Sequence, residues 1–86
     1  MFKSEWIGKF ENYEIKVINT WFEGESLWVN NELQDKRYGF FTSDLKGHVV
    51  DSKGDRKNIK VTLGGSFSIE CFVFVDDKLV AMAKQK

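Results

Sequence analysis

Apolar and polar residues alternate one by one along most of this chain, and a period of two is the signature of strands with one buried face. In "YEIKVI", Tyr13, Ile15 and Val17 alternate with Glu14 and Lys16. In "NIKVTL", Ile59, Val61 and Leu63 alternate with Asn58, Lys60 and Thr62, and "SFSIEC" repeats the pattern with Phe67, Ile69 and Cys71. No segment sustains the i, i+3, i+4, i+7 stripe of a helix over about ten residues. "TSDLKG" offers at most one helical turn, with Ser43 or Asp44 as its cap. The chain is therefore expected to be all-β.

Turn formers punctuate the alternation at "EGES", "VNNE", "TSDLKG", "DSKGD", "LGGS" and "VDDK". They delimit about eight short strands, near 4–8, 10–18, 25–29, 32–41, 47–51, 57–62, 67–75 and 78–84. The sequence has no proline, so edge strands must be guarded by charge, and the lysines supply it. At Gly64–Gly65 a two-residue loop would join an apolar face to a polar one. A three-residue loop, Leu63-Gly64-Gly65, sets Val61 opposite Phe67 and Ile59 opposite Ile69, and is preferred on parity.

"LWVNNEL" (27–33) and "VFVDDKL" (73–79) share one plan of aliphatic, aromatic, Val, two turn formers, a charged residue and Leu. The tripeptide "IKV" precedes each, at 15–17 and 59–61. Two-residue loops at Asn30–Asn31 and Asp76–Asp77 suit a type I′ turn, pairing Trp28 with Leu33 and Phe74 with Leu79. Two such strand–hairpin units, each apolar on one face, bury themselves by stacking into an antiparallel β-sandwich. The 86 residues have room for one domain, 1–86. The second hairpin is apolar on both faces and is expected at the centre. In the first, Leu27 and Val29 meet Glu32 and Gln34, a half-wet face.

The order "EIKVINTWFEGESLWVNNELQDKRY" followed by "IKVTLGGSFSIECFVFVDDKLVAMAK" resembles the duplicated β-sandwich of the Fas apoptotic inhibitory molecule family. The resemblance spans roughly residues 10–84 and rests on strand pattern and turn position. The chain differs in carrying Asn30–Asn31 and Asp76–Asp77 where the family tends to have a glycine. The resemblance implies a non-enzymatic protein acting through protein–protein contacts, and carries over no active-site residues.

Thirteen basic and thirteen acidic side chains cancel, which disfavours a protein built mainly to hold a phosphate backbone. The single cysteine, Cys71, forms no internal disulfide and sits in an apolar run, so it reads as a small core residue. One His, His48, and one Cys do not make a structural zinc site. "DSKGDRKN" places Lys53 where a calcium loop needs an oxygen. Asp76–Asp77 at a hairpin tip splay into water, so they turn the chain rather than act as an acid pair. No phosphate-binding, dinucleotide or nucleophile-elbow motif occurs, so neither cofactor nor catalytic residue is assigned. With no apolar stretch of membrane length or signal-like N-terminus, the expected compartment is the cytoplasm, with no membrane partner.

Two features point to binding. "DKRYGFFTSD" resembles the aromatic RNA-binding motif of cold-shock domains, which on this sequence implies Lys36, Arg37, Tyr38, Phe40 and Phe41 as a base-stacking platform. Its second motif, closely downstream in those domains, has only the distant "FVFV" as a counterpart. The other feature is the aromatic excess of Trp6, Trp21, Phe22 and Trp28. A Trp21–Phe22 pair at a loop marks a contact surface if it is wet, whereas Trp28 is expected in the core. The chain is thus read as a small non-enzymatic interaction module whose partner is a protein or a second copy. The alternatives are single-stranded nucleic acid on the KRYGFF strand, or a sugar on exposed Trp6 and Trp21.

Overall fold

The computed structural model describes residues 3–20, 23–38, 43–64 and 69–85. Within them the alternating segments form nine strands: β1 (Lys3–Phe10), β2 (Tyr13–Thr20), β3 (Gly24–Val29), β4 (Glu32–Arg37), β5 (Ser43–Val50), β6 (Arg56–Gly64), β7 (Glu70–Val75), β8 (Lys78–Val80) and β9 (Met82–Lys84). They build an antiparallel sandwich. A five-stranded sheet, β4-β3-β2-β1-β9, packs on a four-stranded sheet, β5-β6-β7-β8.

Both hairpins form in the expected register, with Trp28 opposite Leu33 and Phe74 opposite Leu79. Their tips take the left-handed backbone at both central positions: φ is 48° and 66° at Asn30 and Asn31, and 50° and 63° at Asp76 and Asp77. Asn and Asp tolerate that conformation better than other residues with side chains. The neighbouring pairings correspond as well. Ile15 faces Val29 and Gly8 across β1–β3, while Ile59 faces Val75 and Gly47 across β5–β7. Asn30 N–H donates to Glu14 O and Asp76 N–H to Asn58 O, each at 2.9 Å. Glycine relieves the steric penalty of positive φ at the second central position of such a turn. Asp77→Gly is therefore expected to stabilise the fold by about 0.5–1 kcal/mol, read as a higher urea midpoint at unchanged m-value; a lower midpoint would show that Asp77 makes a contact worth more than its strain.

The inward side chains are Trp6, Ile15, Val17, Leu27 and Val29 from one sheet and Leu45, Val49, Ile59, Val61, Leu63, Val73 and Val75 from the other. Each buried Val, Leu or Ile contributes about 1.5–3 kcal/mol. Most are β-branched or aliphatic residues suited to a pleated surface.

Several expectations are corrected. "SDLKG" (43–47), the described part of "TSDLKG", is strand, because Leu45 completes the inward alternation of β5 and is fully buried. The span 10–18 holds a turn at Glu11–Asn12, with Phe10 paired to Tyr13. β6 meets β7 six residues further along than the three-residue loop predicts: Val61 faces Val73 and Ile59 faces Val75. That register gives the core two β-branched residues, and β7 begins at Glu70. The second hairpin is not central, since β8 is the edge of its sheet. The span 78–84 breaks at Ala81, where the chain leaves β8 and crosses to the other sheet as β9, pairing with β1. Trp28 lies half-buried on the outer face of β3, its indole N–H donating to Ser26 Oγ at 2.8 Å, while Leu27 and Val29 point inward.

A bulge resolves the half-wet face. Trp28 faces Leu33 but Leu27 faces Asp35, so Gln34 is the extra residue. Freed from the ladder, the Gln34 amide clasps β5: Nε2 donates to His48 O at 2.9 Å, and His48 N–H donates to Oε1 at 2.8 Å. Lys46 N–H donates to Asp35 Oδ2 at 2.8 Å. Side chains of β4 thereby satisfy the edge of β5. At the opposite side the continuous β8–β9 segment bridges the two sheets. Guarding of this kind suppresses edge-to-edge pairing, which directs attention to the faces.

Candidate binding surface

The alternation that buries Leu45, Ile59, Val61, Val73 and Val75 turns their neighbours outward. One row across the four-stranded sheet then reads Lys46, Lys60, Phe74, Leu79. The next reads Asp44, Thr62, Phe72, and on the other side His48 faces Asn58. β7 and β8 therefore present an apolar strip to solvent: Phe72 is 44% exposed and Leu79 63%, with Phe74 half-buried between them. Among the described residues the segment after Val80 departs to the other sheet as β9 and leaves the strip exposed.

Beside the strip lies a groove of about 530 Å³ lined by Lys46, His48, Arg56, Asn58, Lys60 and the hairpin aspartates Asp76 and Asp77, among others. Lys46 and Lys60 stand directly opposite one another. Among the described residues neither ammonium is in an ion pair. Asp44 accepts from Thr62 Oγ1 at 3.4 Å, and Asp76 Oδ2 lies 3.3 Å from Lys57 Nζ. That hydrogen bond and the charge of Asp76 hold the Lys57 ammonium above its ordinary pKa. In the other sheet Lys16, the "IKV" counterpart of Lys60, is paired with Glu5 at 4.0 Å and donates to Asn31 Oδ1 at 3.2 Å.

The residues singled out from sequence are dispersed. Lys36, Arg37 and Tyr38 lie at the end of β4 and just beyond it. Tyr38 is 75% exposed, with Lys36 Nζ 5.4 Å from its ring centroid, and Arg37 Nε is 3.8 Å from Asp35 Oδ1. Trp21, Phe22, Phe40 and Phe41 lie outside the described residues. β4, which carries Lys36 and Arg37, and the "FVFV" strand β7 belong to different sheets. Trp6 is buried against Val17 and offers no ring to a sugar. His48 is exposed, and its backbone, not its ring, makes the bonds to Gln34. Asp51 organises its own loop: its Oδ1 accepts N–H bonds from Asp55 at 2.8 Å and Lys53 at 2.9 Å. Those bonds, that of Asp55 foremost, lower its pKa below the usual carboxylate value. Among the described residues no group of three or more His, Cys, Asp or Glu is placed to hold a metal ion.

Lys46, Arg56, Lys60, Phe72 and Leu79 were not singled out as binding residues by sequence reasoning. Each occupies an ordinary polar or apolar strand position, and only the register brings them together. One signal was available: a hairpin apolar on both faces must either lie between two layers or expose a patch. Fold and surface together define an all-β, two-sheet sandwich whose four-stranded sheet has an amphipathic outer face. No family model, curated protein or solved structure matches the chain.

Proposed function

We propose that the protein is a non-enzymatic binding module that docks a partner protein on the outer face of its four-stranded sheet. The observation that carries this reading is the exposed strip of Phe72, Phe74 and Leu79 on β7 and β8. Contiguous apolar side chains held on a rigid sheet, rimmed by charge, have the anatomy of an interaction surface. Protected edges favour docking on a face over pairing with an exposed strand. The contact-based mode of action implied by the resemblance to the Fas apoptotic inhibitory molecule family agrees with it. We place the module in the cytoplasm because its single cysteine leaves stabilisation to burial; among the described residues no helix is long and apolar enough to cross a membrane.

The test compares the wild-type chain with Phe72→Ser/Leu79→Ser as baits in quantitative affinity capture. Both side chains are exposed, so the double variant is expected to melt within about 3 °C of wild type. At least one protein captured by the wild type is expected to be depleted about fivefold or more from the variant. Identical capture by two folded baits would refute the proposal, and unfolding of the variant would show the strip to be structural.

A further inference from the structure

We infer that the partner segment recognised on this face is acidic and apolar: an extended stretch whose carboxylate sits between Lys46 and Lys60 and whose adjoining apolar side chains cover Phe72, Phe74 and Leu79. The inference rests on the protein-docking reading above and specifies its chemistry. Like charges directly opposite on a sheet are unfavourable in the free protein, and Lys46 on the edge strand β5 faces Lys60 on β6, where both are exposed. Two other strand lysines are paired with carboxylates, Lys16 with Glu5 and Lys57 with Asp76 and Asp51. Of the nearby carboxylates, Asp44 is bonded to Thr62 and Asp76 to Lys57, and Asp77, at the hairpin tip, lines the same groove. Arg56, also in the groove, adds a third cation. An incoming carboxylate would relieve the repulsion and gain charge-assisted hydrogen bonds from two ammonium groups.

The geometry sets the spacing. Lys46 and Lys60 occupy neighbouring strands, and Phe74 and Leu79 the next two in the same row. Two strand spacings separate the cationic and apolar halves by about 10 Å. An extended chain covers that distance in about three residues, so acidic and apolar positions two to four apart reach both halves.

A protein segment fits better than single-stranded nucleic acid. Glu70 stands exposed at one end of β7, and Asp76 and Asp77 stand at the other. A phosphate chain running along the strip would meet those carboxylates, whereas one acidic side chain meets only the lysine pair. The aliphatic Leu79 suits an apolar side chain more than a base.

The full chain, labelled with ¹⁵N, is titrated with the peptide Glu-Ser-Glu-Ser-Leu-Ser-Phe and followed by two-dimensional NMR. Saturable shifts are expected to centre on the amides of Lys46, Lys60, Phe72, Phe74 and Leu79. The Gln-for-Glu peptide and the Lys46→Gln/Lys60→Gln protein are each expected to bind about tenfold more weakly. Equal affinity for the Glu and Gln peptides, with shifts still on this face, would overturn the acidic specificity and leave the docking reading standing. Shifts that are absent, or that centre elsewhere, would overturn both. Tighter, salt-dependent binding of an oligothymidylate at the same amides would assign the face to nucleic acid, and concentration-dependent dimerisation through it would assign it to a second copy. Either result would also overturn the inference.

Discussion

Gly8→Ala is expected to destabilise the protein by about 2–3 kcal/mol, measured as a fall in the urea midpoint. Gly8 lies inward on β1, opposite Ile15 on one side and Met82 of β9 on the other. A β-carbon there would lie 2.5 Å from Ala81 O and also meet Met82 Sδ. The methionine tail can swing away, but the Ala81 carbonyl is backbone at the point where the chain crosses between sheets. Making room for a methyl group means moving the β8–β9 crossing, which seals one side of the sandwich. Gly47, the counterpart on β5, provides the comparison. There a β-carbon would meet Gln34 Oε1 and, at 2.8 Å, Leu27 Cδ2, both of them side-chain atoms that can retreat. Gly47→Ala is accordingly expected to lose about 1 kcal/mol, largely through the Gln34–His48 clasp. Equal effects at the two glycines would show that the crossing is no more rigid than a side chain.

Cys71 in the folded protein is expected to react with a thiol-specific disulfide reagent at pH 8 about a hundredfold more slowly than in the denatured chain. Burial pushes its thiol up to about 12 from an ordinary value of 9.0. The thiolate fraction at pH 8 then falls about 10³-fold, and the greater nucleophilicity of a more basic thiolate returns roughly one order of magnitude. The same shift ties stability to pH. The folded state keeps the thiol proton after the unfolded state has released it, so the contribution is complete below pH 9 and is lost as pH rises toward 12. Cys71→Val should flatten the alkaline fall in melting temperature relative to wild type. Labelling of native protein at the denatured rate would contradict the burial on which both expectations rest.

Much of the candidate surface was hidden in the sequence for one physical reason. Alternation assigns each residue to a face, but any even-numbered slip between strands leaves those assignments unchanged. The three-residue loop at Gly64–Gly65 and the observed pairing differ by six residues, yet both put Ile59, Val61 and Cys71 on one face. The inward residues were therefore legible, while their partners were not. Lys46 and Lys60 each read as a solvated strand position. Their confrontation follows from the β5–β6 register alone. Trp28 was misplaced because its size suggested burial, whereas it alternates with the inward Leu27 and Val29 and pairs with Lys16, which turns it outward.

The sequence by itself determined the all-β class, the inward alternation of Ile15, Val17, Ile59 and Val61, and the two type I′ tips, because all three depend on neighbours within a few residues. Asn30–Asn31 and Asp76–Asp77 turn the chain through their own backbone preferences. The tertiary structure decided strand order, the crossing at Ala81, the clasp of Gln34 on β5, and which apolar face remained uncovered. Those outcomes depend on contacts between segments distant in the chain, where competing registers satisfy the same local pattern and packing selects among them.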